Sequence, residues 1–269
     1  MDSSVKDYYN GRGWEDSGGF THDALKFEDL RECAREYVSK CRRRVTQHIP
    51  ESGDRILDMA SGPLQYSEYL EYSKGFNYRY CVDLSKKALD SAAEKIGSHG
   101  VYYHGDFLTL DFPNDFFDCA ISLHTIYHIP DAAQFDVVMK LLNVTKPQGK
   151  VIIVASNRRS IVEIIKSTTI GVALKKIINS YFKCRSATSD QDVGLYFFPQ
   201  SIEWWDQFSS FAEINIYPWR SFNSNTQKIV VPDNKFGFFI FKMLYRAEDL
   251  FPKFFAKYFQ YPMIVLTKK

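Results

Sequence analysis

Two histidines four residues apart, His124 and His128, lie in Leu123-His124-Thr125-Ile126-Tyr127-His128-Ile129, just after an apolar run. Imidazole changes charge near neutral pH, so such a pair can take a proton from a hydroxyl or a protonated amine. If the loop were helical, a spacing of four would put both rings on one face. Three aspartates occupy a similar place: Asp58, Asp83 and Asp106 each follow a short apolar segment. A carboxylate there can accept hydrogen bonds from an amino group or from the two hydroxyls of a ribose. After Asp58 come Met59-Ala60-Ser61-Gly62-Pro63, mostly small residues that let a ligand approach the backbone. Each residue also has a plainer reading. Asp58 and Asp83 could cap helices, Asp106 could form a turn, and His128 could pack the turn before Pro130.

These side chains need elements to hold them. Arg55–Asp58, Arg79–Val82, Val101–His104, Phe117–Leu123 and Lys150–Ala155 read as buried strands. Between them, Gln65–Ser73, Lys86–Ile96 (capped by Ser85) and Ala132–Thr145 read as helices. Continuous apolar strands alternating with helices predict a mostly parallel sheet covered on both faces. Ligands bind beyond the carboxyl ends of such strands, where all three aspartates and both histidines fall. Upstream, 1–22 reads as an irregular arm or short helix, and apolar periodicity predicts one amphipathic helix over 24–48. Downstream, Ile161–Phe182 reads as a helix, Ala187–Asp192 as a polar break and Ser201–Phe208 as a short helix. Glu213–Tyr217 and Met263–Thr267 read as strands flanking a 221–261 insertion with an aromatic helix pair.

In this order the pieces resemble class I S-adenosylmethionine-dependent methyltransferases, and most closely the small-molecule enzymes of the ubiquinone-biosynthesis-like, type 11 group. Asp58 and Gly62 fit that family's DxGxGxG loop, with Ala60 and Leu64 in place of the outer glycines. Asp83 ends the second strand 25 residues after Asp58, His104-Gly105-Asp106-Phe107 follows the third, and Lys146-Pro147-Gln148-Gly149 stands for a KPGG turn. The resemblance covers 55–156 well and 195–269 more loosely. It implies a Rossmann-like seven-stranded sheet of order 3-2-1-4-5-7-6, with an N-terminal helical lid and an aromatic insertion before the last strand. It implies S-adenosyl-L-methionine as cofactor and S-adenosyl-L-homocysteine as product, held by Tyr9, Asp58, Ala60, Ser61, Gly62, Pro63, Asp83, Leu84, Asp106, Phe107 and Leu123. In the family the Asp106 position meets the adenine amino group. His124 and His128 become the catalytic candidates. Residues 1–50 form an arm and helix; the stretch Tyr8–Glu15 resembles a mobile lid on glycine hinges, with Tyr8 and Tyr9 as the candidates to touch cofactor or substrate. Residues 51–269 form the catalytic domain, with insertions at about 160–185 and 221–261 covering the acceptor. An NAD-binding domain would need GxGxxG directly after the first strand, and the chain has none there.

Composition narrows the rest. The 269 residues carry a net charge of only +2, and Arg42-Arg43-Arg44 is the one basic run, read as a solvated helix face, so no nucleic-acid partner is expected. Five scattered cysteines without CxxC spacing argue against disulfides and against a metal site, and for a cytoplasmic enzyme. The start is polar, without the apolar stretch of a signal peptide. Aromatic residues reach 16% and crowd into 236–261. That surface has the insertion's own packing as its first use. A pocket lid, a homodimer interface and, ranked last, membrane or lipid contact follow. The expected function is methyl transfer to an O or N nucleophile of a small-molecule acceptor. The alternatives are a protein or RNA methyltransferase, or a catalytically silent cofactor-binding scaffold.

Overall fold

The structure, a computed structural model, describes residues 8–17, 20–167 and 195–269. A short π-helical turn, Tyr9–Gly13, leads into a small antiparallel hairpin of β1 (Asp16–Ser17) and β2 (Phe20–Thr21). Two helices follow, α1 (His22–Phe27) and α2 (Glu32–Arg43). The alternating core then runs β3 (Gly53–Met59), α3 (Ser67–Glu71), β4 (Phe76–Asp83), α4 (Lys86–Ile96), β5 (Gly100–His104), β6 (Phe117–Leu123), α5 (Asp131–Val144) and β7 (Thr145–Val154). After α6 (Ile161–Ser167) and a 3-10 segment at Ile202–Phe208 come β8 (Ala212–Arg220), α7 (Ser224–Val230), α8 (Lys235–Leu250), α9 (Pro252–Tyr258) and β9 (Tyr261–Lys268).

The main sheet has the order β5-β4-β3-β6-β7-β9-β8. Counting only its own strands, this is 3-2-1-4-5-7-6. The first five strands are parallel, and β9 pairs antiparallel with both β7 and β8. Alternation along the strands sends side chains to two cores. Leu57, Ala120, Val151 and Ile153 meet α5, Trp205 and Phe208 on one face. Ile56, Cys119, Ile121 and Ile152 meet Ala34, Tyr37 and Cys41 of α2, and Phe241 of α8, on the other. The N-terminal helix thus shares a core with the sheet. Four of the cysteines, Cys33, Cys41, Cys81 and Cys119, are buried and free; Cys184 lies outside the described residues.

Several local expectations are corrected. The single helix over 24–48 is two helices. Asp29 accepts from the Arg31 backbone N–H (3.3 Å) and side chain, which competes with helical hydrogen bonding at the break. The arginine run is not a solvated face. Arg42 and Arg44 are buried, Arg44 against Glu248 at 2.7 Å and Arg42 near Glu28 at 3.6 Å. The insertion holds three helices rather than two. The 161–182 helix is described only as far as Ser167, and the 187–192 break lies outside the described residues.

Candidate functional site

Strands β3, β4, β5 and β6 end side by side, and a cleft of about 560 Å³ opens above them. That volume lies within the ordinary range for small-ligand sites. Its floor is the loop Ala60-Ser61-Gly62-Pro63, with Asp58, Asp83 and Leu84 at the strand ends and Leu123 and both histidines opposite. A smaller pocket adjoins it, lined by Met59, Val82, Asp83, Leu84, Asp106, Phe107 and Ile129. The topology therefore brings Tyr9, Asp58, Ala60, Ser61, Gly62, Pro63, Asp83, Leu84, Asp106, Phe107, Leu123, His124 and His128 to the two adjoining pockets, whereas Tyr8 lines neither.

The loop after β3 has an unusual backbone. Ala60, Gly62 and Leu64 all lie at positive φ, at 60°, 57° and 49°. The Asp83 carboxylate accepts from the Gly62 N–H (2.9 Å) and the Ser85 N–H (2.8 Å), tying the loop to the end of β4. Burial pushes its pKa up to about 6, against those two hydrogen bonds. Ser85 also caps α4 through Ala88. Asp58 is ion-paired with the buried Arg79, and burial still raises its pKa. Asp106 forms a local turn, accepting from the Leu108 N–H at 3.0 Å.

The histidine loop is not a helix with a shared face. His124 has φ 60°, one 3-10 turn spans Ile126–His128, and Ile129 is extended because Pro130 follows it. Both rings still line the cleft. His124 Nδ1 lies 3.1 Å from the Tyr127 hydroxyl, and its ring packs edge-on against Trp219 and Tyr261. Burial, then the positive charge of Arg220, holds its pKa well below the ordinary value. His128 Nδ1 is 2.8 Å from the Tyr196 carbonyl, which can only accept. The proton therefore sits on Nδ1, and Nε2 carries the lone pair. Burial lowers its pKa as well.

The arm folds over the loop. Tyr9 stacks on Trp14, both line the cleft, and a Cβ at position 62 would stand 3.3 Å from the Trp14 ring. Tyr8 is buried away from the cleft lining. Of the 221–261 insertion, Asn223–Asn225 and Tyr261 line the cleft, whereas α8 and α9 contribute nothing to it.

Sequence reasoning missed several cleft residues. Asp23 accepts from the Tyr9 hydroxyl at 3.3 Å, and burial pushes its pKa up to about 6. Arg220 bonds Glu28 at 2.9 Å, while its Nε and the Tyr66 hydroxyl are buried without a hydrogen-bond partner. The available signal was a cation inside an apolar strand: Arg79 and Arg220 each sit among aromatic residues of β4 and β8. Among the described residues no His, Cys, Asp or Glu cluster could hold a metal ion.

Residues 57–153 match the family model described as "Methyltransferase domain". No curated protein matches the chain in sequence. Solved structures match its fold. Phosphoethanolamine N-methyltransferase 2 of Haemonchus contortus, in complex with S-adenosyl-L-methionine, has a TM-score of 0.56 at 14% identity, covering 100% of this chain and 60% of that one. Geranyl diphosphate C-methyltransferase of Streptomyces coelicolor A3(2), with S-adenosyl-L-homocysteine, has 0.57 at 14% identity, covering 99% and 97%. A SAM-dependent methyltransferase of Archaeoglobus fulgidus has 0.52 at 17% identity, covering 87% and 94%. The chain spans about half to three fifths of the Haemonchus proteins it matches, 52% and 60% in two structures.

Proposed function

We propose that this chain, whose residues 57–153 match a methyltransferase-domain model, is a class I S-adenosylmethionine-dependent methyltransferase and that its cleft transfers a methyl group to an O or N nucleophile of a small-molecule acceptor. When bound, S-adenosylmethionine supplies a methyl group on a positively charged sulfur. The residues present fit it. Asp83, a buried carboxylate pushed up to about 6, gains partners if two ribose hydroxyls donate to it. The apolar pocket of Met59, Val82, Leu84, Phe107 and Ile129 suits the adenine, with Asp106 at its edge. The Asp58–Arg79 pair offers opposite charges to a zwitterionic amino-acid end. Ala60, Ser61, Gly62 and Pro63 supply the close backbone, and Tyr9 and Trp14 exclude water from above.

On the acceptor side, His128 removes the proton through Nε2, because its Nδ1–H is held by the Tyr196 carbonyl. This tautomer-fixing contact is the observation that carries the reading. His124 and Tyr127 orient the acceptor, and Leu123 and Tyr261 shape its pocket. The Arg220 Nε–H and the Tyr66 hydroxyl, both buried without a hydrogen-bond partner, favour an acceptor that brings oxygen atoms. Two of the three neighbours are named for phosphorylated small molecules, phosphoethanolamine and geranyl diphosphate, which supports the small-molecule class.

The test replaces His128 by Asn and by Ala and follows turnover over an acceptor panel together with cofactor binding. Turnover falls roughly 10²–10⁴-fold while cofactor affinity stays within about twofold. The parent loses kcat on the acid side with a midpoint below about 6.5, because the neutral ring is the active form. A variant with parental turnover, or an acid limb above that value, removes His128 from the role.

A further inference from the structure

One exposed face of the molecule serves neither the cores nor the cleft. Helix α8 buries Gly237, Phe241 and Glu248 against α2, where Phe241 stacks on Tyr37 with centroids 5.0 Å apart. Its opposite side is also apolar. Phe236 (61% exposed), Phe239 (56%), Met243 (46%) and Leu250 (73%) all point to solvent. At about 100° per residue these four fall within a sector of roughly 60°, a single stripe along about 21 Å of helix. The stripe continues past the turn through exposed Phe251 and Phe254 of the α9 end.

Its charges have one dominant sign. Lys235, Lys242 and Arg246 form the adjoining row on α8, and Lys253 and Lys257 are exposed on α9. The exposed acids of this region are Asp233, Asp249 and, on neighbouring α2, Glu36, whose charge faces Lys242; Asp249 is held by Arg44 at 2.7 Å and Glu36 by Lys40 at 2.5 Å, so the row keeps its positive excess. An apolar stripe beside a basic row is the pattern of an element lying in the interface of an anionic bilayer. There the rings enter the acyl boundary, and the lysines reach back to the headgroups. A second copy fits less well, since a two-fold contact would set the same cationic row against itself. Among the described residues no helix is long and apolar enough to cross a membrane, so the contact is peripheral.

We infer that the outer face of α8 and α9 docks the protein on anionic membrane surfaces. The inference stands independently of the cleft chemistry. Co-sedimentation of the intact chain with phosphatidylcholine vesicles, with and without about 30 mol% phosphatidylserine, tests it. Binding is at least about tenfold stronger with phosphatidylserine and weakens in high salt. Two triple variants follow, Phe236→Ser/Phe239→Ser/Met243→Ser and Lys235→Glu/Lys242→Glu/Arg246→Glu. Each loses that binding with unchanged melting temperature, since every changed side chain is exposed. Equal binding to both vesicles, or variants that bind like the parent, would overturn the inference. So would a parent that ignores vesicles but is a dimer that the serine variant dissociates. A variant with a lowered melting temperature is replaced by Phe239→Ser alone, read the same way.

Discussion

Three residues stand where the resembled family places glycine, namely Ala60, Leu64 and Gln148, and each has positive φ, at 60°, 49° and 63°. The backbone keeps the geometry although the side chains have changed. A left-handed non-glycine residue costs about 1–2 kcal/mol. Leu64 offsets that cost by burying its side chain, whereas Gln148 is exposed and gains nothing comparable. Gln148→Gly therefore stabilises the chain by roughly 0.5–1 kcal/mol, the relieved strain exceeding the added entropy of the unfolded chain. Urea denaturation measures this, and a loss of stability would contradict it. The aspartates and His128 were legible because their types follow strand ends. Asp23, Tyr127 and Arg220 were not, since they come from the arm, a 3-10 turn and the last hairpin. Only the fold makes them neighbours.

Among elements, the parallel strands and α4 matched their sequence periodicity closely, because burial on both faces leaves a strong apolar signal. The arm hairpin and the break at Asp29 did not. They depend on hydrogen bonds of Asp29 and on the docking of Tyr9 and Trp14, which leave no periodic trace. The insertion is fastened by one buried side chain. Glu248 of α8 accepts from Tyr37 of α2 (2.7 Å), from Arg44 (2.7 Å) and from the Ser221 N–H (3.1 Å) after β8. Glu248→Ala leaves buried Arg44 with Asp249 as its one carboxylate, beside the Trp219 and Tyr245 carbonyls, and takes the acceptor from the Tyr37 hydroxyl and from the N–H and hydroxyl of Ser221. The expected loss is roughly 3–5 kcal/mol in chemical denaturation, against under about 1 kcal/mol for Asp249→Ala on the exposed side. Equal effects would show that the hub does not hold the helix.

For the whole molecule, the buried acids Asp23 and Asp83, both pushed up to about 6, make cofactor capture depend on pH. A raised carboxyl contributes stability to the ligand-free chain below its unfolded pKa of about 3.9 and loses it as pH rises through about 6. A ligand that donates hydrogen bonds to the ionised Asp83 reverses that loss, releasing a proton on binding. The most direct test is calorimetric titration of S-adenosylmethionine into the intact chain at about pH 7.5 and about pH 5, beside Asp83→Asn. The account predicts one site, roughly tenfold weaker at the lower pH, with Asp83→Asn at least about tenfold weaker than the parent at the higher pH and flatter across the range. No binding by a folded chain, or an Asp83→Asn variant that binds like the parent, would contradict it.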